Sequence, residues 1–227
     1  MKLIEKIKST KFFMNQDIDA HGSCSLVGNS GCLLDQEYAE MIDNAEHVVR
    51  FNNGPVNGFE SKVGYKSDFR ILNCHFIMNI KNDFYYNQQK ERFPDLDRYS
   101  LYKFRNENLI FKTDPSWQLW RETEILNQAR EHNNVYFIDQ DMYELGKKLN
   151  GGKEATNGFM GLLFSLKYFN DISCFGFSFY SKNIKKHYYE EVKEYNQTAG
   201  HDFDTEKKIF QLLDKNNLIK IYGGTNE

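Results

Sequence analysis

Seven short runs of apolar, β-branched and aromatic residues recur along the chain, at residues 24–27, 47–51, 69–72, 109–111, 135–138, 172–177 and 219–222. Turn-forming or charged residues bound most of these runs, which is the pattern of short buried strands. Between them the apolar positions return every three to four residues, predicting helices over 36–44, 117–131, 141–149, 158–169 and 204–215. Strands alternating with helices predict an α/β fold, a Rossmann-like, mostly parallel sheet covered by helices on both faces. Residues 1–227 are read as a single domain of this kind, without internal repeats. Two stretches break the alternation. Residues 76–104 are aromatic, charged and weakly periodic, and read as an insertion or lid-like excursion. Residues 182–200 read as a polar, Tyr-rich connector.

Composition narrows the picture. An aromatic share of 15% with only three prolines fits a folded domain rather than a disordered chain. The formal net charge of −3 supplies no field that would favour nucleic acid. No apolar run approaches the roughly 18 residues that a membrane helix needs. The first residues carry Leu3, Ile4 and Ile7 on one helical face with lysines opposite. They read as a surface helix, with peripheral membrane contact as the alternative. Cys24, Cys32, Cys74 and Cys174 form no CxxC pair and no zinc spacing, and read as buried thiols in a reducing, cytoplasmic setting.

The candidate chemistry gathers at strand ends. The first apolar run closes on Gly28-Asn29-Ser30-Gly31 and the second on Arg50-Phe51-Asn52-Asn53-Gly54. Two neighbouring strands that deliver amides and glycines to one sheet edge are the ingredients of a nucleotide site. Glycine there lets backbone approach a phosphate closely. The same residues also make ordinary turns, and neither GxGxxG nor GxxxxGK[ST] is present. Arg50 could meet a buried carboxylate or an anionic ligand. Thr156-Asn157-Gly158 precedes an apolar helix, as an N-cap or as an anion or ribose contact. His187 and His201 follow the sixth run and are candidate general bases or surface residues. Asp139-Gln140-Asp141 resembles the DxD metal motif of UDP-sugar transferases, and equally an acidic helix cap.

Taken in order, these pieces resemble the animal-type sialyltransferase family with its large, small, third and very small motifs. Cys24-Ser25-Leu26-Val27-Gly28-Asn29-Ser30-Gly31, Ile42-Asp43, Val49-Arg50-Phe51-Asn52 and Gly58-Phe59-Glu60 with Val63-Gly64 are similar to the large motif. Thr156-Asn157-Gly158 with Phe175-Gly176-Phe177 is similar to the small motif, His187-Tyr188-Tyr189-Glu190 to the third, and His201 with Glu206 to the very small one. The resemblance implies a GT-A-like variant of the fold and inverting transfer of sialic acid from CMP-sialic acid to a glycan hydroxyl, without metal or other cofactor. It further implies donor contacts from Asn29, Ser30, Asn52, Thr156, Asn157 and Gly158. His201 would be the general base and His187 the partner of the departing phosphate, with Tyr188 beside it. Such a scheme leaves Asp139 and Asp141 without a metal to hold.

The chain also departs from the family. The usual disulfide partner of the Cys24 position is Phe169 here, and the small motif opens on Glu154-Ala155-Thr156-Asn157-Gly158 rather than Pro-Ser-Thr-Gly. No stretch of the chain is read as the membrane anchor or stem of the Golgi enzymes. We therefore expect a compact relative from a reducing compartment, bacterial or viral. The alternatives are a CMP-Kdo-dependent transferase of the same fold and a non-catalytic nucleotide- or glycan-binding relative.

Overall fold

A computed structural model describes residues 2–14, 16–93, 96–179, 184–189 and 200–223. The chain runs α1 (Lys2–Ser9), β1 (Ser23–Val27), α2 (Ala39–Asp43), β2 (His47–Phe51), α3 (Glu60–Val63), β3 (Phe69–Asn73), α4 (His75–Lys81), α5 (Asp83–Arg92), β4 (Asn108–Lys112) and α6 (Thr123–Arg130). It continues with β5 (Asn134–Phe137), α7 (Gln140–Leu149), α8 (Asn157–Tyr168), β6 (Asp171–Phe175), α9 (Phe203–Lys215) and β7 (Lys220–Tyr222). All seven expected strands are present. They form one sheet in the order β5-β4-β3-β2-β1-β6-β7, and every pairing is parallel.

Alternation within the strands sorts side chains between the two faces. Leu26, Val49, Ile71 and Ile110 join a core with residues of α1, α7, α8 and α9. Val27, Val48 and Phe175 point the other way, towards Ile42 of α2 and Val63 of α3. Leu72, Leu109, Phe111 and Phe137 meet α4 and α6 on a third cluster. Helix α8 is buried from Phe159 to Leu166, as its nearly uniform apolar sequence requires. The apolar side of α1 is used in this core: Ile7 is fully buried, and Leu3 and Ile4 pack beside it. The surface-helix reading of this segment therefore describes it, and its apolar face is not left for a lipid surface. No helix among the described residues is long and apolar enough to cross a membrane.

The helices expected over 36–44 and 117–131 are shorter than their patterns. The first is reduced to Ala39–Asp43. The second is split into two 3-10 turns before α6, because Gln118 takes a left-handed conformation with φ 51°. Residues 76–104 are not a loose excursion. Phe76, Ile77 and Leu101 are buried against Leu109 and Phe111 of β4, so much of this segment is a covering layer of the sheet. All four cysteines are free. Cys24 lies 3.7 Å from the Ser165 hydroxyl, and burial pushes its thiol up to about 12. Phe169 fills its place with aromatic contacts to His47, Phe69 and Phe164.

Candidate active site

Strands β2 to β5 lie on one side of β1, and β6 and β7 on the other. The winding therefore reverses between β1 and β6, and a crevice opens beyond their C-terminal ends, where α/β sheets bind ligands. A cleft of about 540 Å³ occupies this place. Its floor is made by two loops in backbone contact. The Gly28 amide donates to the Phe175 carbonyl at 2.7 Å, and the Ser30 amide to the Gly176 carbonyl at 3.2 Å. A Cβ on Gly28 would stand 2.4 Å from the Gly176 oxygen, so only glycine permits this crossing. The Ser30 hydroxyl accepts from the Cys32 amide and donates to Ser178 Oγ at 2.6 Å.

Four asparagines, Asn29, Asn52, Asn73 and Asn157, stand on the cleft wall. Asn29 donates through Nδ2 to the Phe51 carbonyl at 3.2 Å. Asn52 takes a left-handed turn, φ 47°, which asparagine tolerates better than most residues. Its Oδ1 accepts from the Asn73 amide at 3.2 Å and from Asn157 Nδ2 at 3.0 Å. With the oxygen so occupied, Nδ2 is the Asn52 group that can address a ligand. The Asn52 carbonyl is held in turn by Arg70 Nη1 at 2.8 Å.

Thr156 is the N-cap of α8, accepting from the Phe159 amide at 3.0 Å. Glu206 of α9 fixes this cap. Its carboxylate accepts from the Thr156 amide at 2.8 Å and from the Thr156 hydroxyl at 2.6 Å. Glu206 is 3% exposed, and burial, only partly opposed by these hydrogen bonds, raises its pKa from 4.5 to about 7. The folded state thus holds the carboxyl proton more tightly than the unfolded chain. The stability this contributes is complete below the unfolded pKa and is lost as pH rises through the folded one. Glu206→Gln, which needs no ionisation, should gain in melting temperature relative to the parent between about pH 5 and about pH 8. Thermal melts of both proteins across that range check it.

His201 stands on the same wall, half-buried. Its Nδ1 lies 2.7 Å from the Glu154 carbonyl. A carbonyl can only accept, so Nδ1 carries the hydrogen and Nε2 of the neutral ring keeps its lone pair. Burial lowers the His201 pKa first of all, the Glu154 carbonyl opposes this, and Lys112 lowers it further. His187 also lines the cleft, its ring stacked on Tyr189 at 5.2 Å and 7°. Glu190, the last residue of the third motif, and most of residues 182–200 lie outside the described residues.

Asn29, Ser30, Asn52, Thr156, Asn157, Gly158, His187 and His201 are thus brought to one cleft. Tyr188 is not on its wall. It is buried among Val27, Ile42 and Val63, and its hydroxyl donates to the Pro55 carbonyl. Among the described residues Arg50 meets neither a carboxylate nor the cleft: it is 2% exposed and donates to the carbonyls of Lys66, Val63 and Gly64. Asp139 caps α7 by accepting from the Asp141 amide and pairs with Lys11 at 2.9 Å, away from the cleft. Among the described residues, no group of three His, Cys, Asp or Glu side chains is gathered as a metal site.

Several cleft residues escaped the sequence reading. Lys112 ends β4, lies 3.6 Å from Glu154, and has its pKa lowered by burial. Tyr143 donates to Glu154 at 2.6 Å. Asp114 and Trp117 stand on a capped 3-10 turn at the rim. Lys112 carried the signal that marks Asn29 and Asn52, a polar residue closing an apolar strand.

The profile of glycosyltransferase family 29 (sialyltransferase) matches residues 1–218. A CMP-N-acetylneuraminate-beta-galactosamide-alpha-2,3-sialyltransferase 1 of Sus scrofa is 26% identical over 218 residues, covering 88% of this chain and 58% of its own. A beta-1,6-galactosyltransferase of Arabidopsis thaliana is 26% identical over 212 residues, covering 85% of this chain and 50% of its own. The chain thus spans between half and six-tenths of these two relatives. In fold it is similar to the crystal structure of a mammalian sialyltransferase in complex with Gal-beta-1-3GalNAc-ortho-nitrophenol. That likeness has a TM-score of 0.64 at 20% identity, covering 99% of this chain and 79% of the other.

Proposed function

The chain belongs to glycosyltransferase family 29, and from that premise we propose that it is an inverting, metal-independent sialyltransferase, moving sialic acid from CMP-sialic acid to a hydroxyl of a glycan acceptor. The observation that carries this reading is the disposition of His201. Its Nδ1 hydrogen is held by the Glu154 carbonyl, and its basic Nε2 is left for a proton in a cleft that also holds Asn29, Asn52, Asn157 and His187.

In this scheme CMP lies across the Gly28–Gly176 crossing, addressed by Asn29, Ser30, Asn52 and Asn157, with the capped start of α8 beneath. The acceptor oxygen attacks the anomeric carbon from the face opposite the phosphate, so that the configuration inverts. The bond to the phosphate breaks and its electron pair leaves with CMP, while His201 Nε2 takes the acceptor proton. A hydrogen bond from His187 to the departing phosphate would stabilise the charge that develops there. The phosphate is already an anionic leaving group, so the scheme asks for no divalent ion. Asp139 serves instead as the cap of α7, with Asp141 in the first turn of that helix. The four free cysteines support a reducing compartment as the place of work.

A mass-spectrometric screen of CMP-sialic acid, CMP-Kdo and UDP-galactose against a panel of glycan acceptors tests the reading. Transfer from CMP-sialic acid supports it. Transfer from CMP-Kdo or UDP-galactose alone changes the donor. No nucleotide release with any pair favours a non-catalytic binding protein. Excess EDTA should leave transfer unchanged, and its abolition by EDTA would return Asp139 and Asp141 to a metal.

A further inference from the structure

Residues 184–189 belong to no helix or strand, and contacts with other parts of the chain hold them where they lie. Two such contacts are to the loop after β1. The Gly31 amide donates to the Lys185 carbonyl at 2.8 Å, and the Tyr188 amide to the Asn29 carbonyl at 2.9 Å. Lys186 and His187 stand between these two points, on the cleft wall. Tyr188 itself turns into the core. It is 4% exposed, with its ring edge-on to Phe59 at 4.9 Å. Its hydroxyl donates to the carbonyl of Pro55. Pro55 lies in the turn that begins at left-handed Asn52. Gly54 of that turn is packed so closely on Asn29 that a Cβ there would stand 2.5 Å from Asn29 Oδ1. One residue thereby joins the Asn29 loop, the Asn52 turn and the His187 segment.

We propose that Tyr188 is a positioning residue of the donor site: its hydroxyl bond to Pro55 and amide bond to Asn29 hold His187 at a fixed distance from the Asn29 and Asn52 loops, for a nucleotide phosphate to be gripped from both sides. The proposal rests on the CMP-donor reading above. Holding the segment in place before the ligand arrives removes an ordering cost from binding. Burial raises the phenol to about 12, so the hydroxyl remains a donor at any working pH. Phenylalanine would keep the ring packing and lose only the bond to Pro55.

The experiment compares CMP with cytidine, which lacks the phosphate, on the full chain and on Tyr188→Phe. Losing one buried hydrogen bond should weaken CMP binding by about five- to tenfold and leave cytidine binding within about twofold. In a His187→Ala background the same substitution should have little effect on CMP, because the group it positions is gone. Melting curves run alongside show whether the variant is folded. Equal weakening of CMP and cytidine, or unchanged CMP binding, overturns the positioning role alone. If the unmodified chain binds CMP no better than cytidine, the phosphate reading of the cleft fails and takes this proposal with it.

Discussion

His201→Ala is expected to lower transfer by about 10²- to 10⁴-fold, the usual worth of a positioned general base, while CMP still binds. The acceptor proton would lose its destination, whereas Asn29, Asn52 and Asn157, bonded to backbone or to one another, would stay in place. The pH profile carries a second signature. The base works only as the neutral ring, and burial holds its pKa below the ordinary 6.5. Transfer should therefore stay level as pH falls past that ordinary value and drop only at lower pH. Stability follows the same sign. Between the two pKa values the unfolded chain binds more protons, so His201 costs the fold stability as pH falls through that window. Unchanged transfer in His201→Ala, measured as CMP release with the acceptor found in the screen, would remove His201 from the chemistry.

Much of this site was legible because strand ends are legible. An apolar run that stops at a small or amide-bearing residue marks both the strand and the group delivered beyond its C-terminus, as at Val27-Gly28-Asn29 and Phe51-Asn52. Lys112 at the end of β4 obeyed the same rule. What stayed hidden depends on contacts between residues far apart in the chain. No periodicity announces that Glu206 caps Thr156 from fifty residues away, or that Tyr188 turns inward while His187 lies on the cleft wall. Arg50 shows the same limit. An arginine inside an apolar strand suggests a carboxylate partner, yet the end of α3 and the turn after it supply three carbonyls instead. Residues 76–104 were opaque for a local reason. Helix α5 has no distinct apolar face, and its neighbourhood packs through scattered aromatics rather than a stripe.

The largest expected loss of stability comes from a pair outside the cleft that nonetheless shapes it. Arg70 and Glu107 are joined by two bonds, Nε to Oε2 at 2.6 Å and Nη2 to Oε1 at 3.0 Å, with side chains only 5% and 10% exposed. Glu107→Ala would leave the guanidinium buried without its anion, near a second buried guanidinium, Arg50, whose pKa is already lowered to about 10 by burial and by the Arg70 charge. Removing one partner of such a pair typically costs about 3–5 kcal/mol. For a domain of this size that corresponds to a fall in melting temperature of about 6–20 °C. Removing both charges, as in Arg70→Met with Glu107→Leu, should cost less than Glu107→Ala alone, because no ion is stranded. The consequence for the site follows from Arg70 Nη1, which holds the Asn52 carbonyl at 2.8 Å and with it the left-handed turn. Glu107→Ala should therefore also weaken CMP binding, although Glu107 is not on the cleft wall. Calorimetric melts of the single and double variants, with CMP titrations on each, separate the two effects. A double variant less stable than the single one would show that packing around Phe104, over which Arg70 lies at 4.6 Å, outweighs the charge.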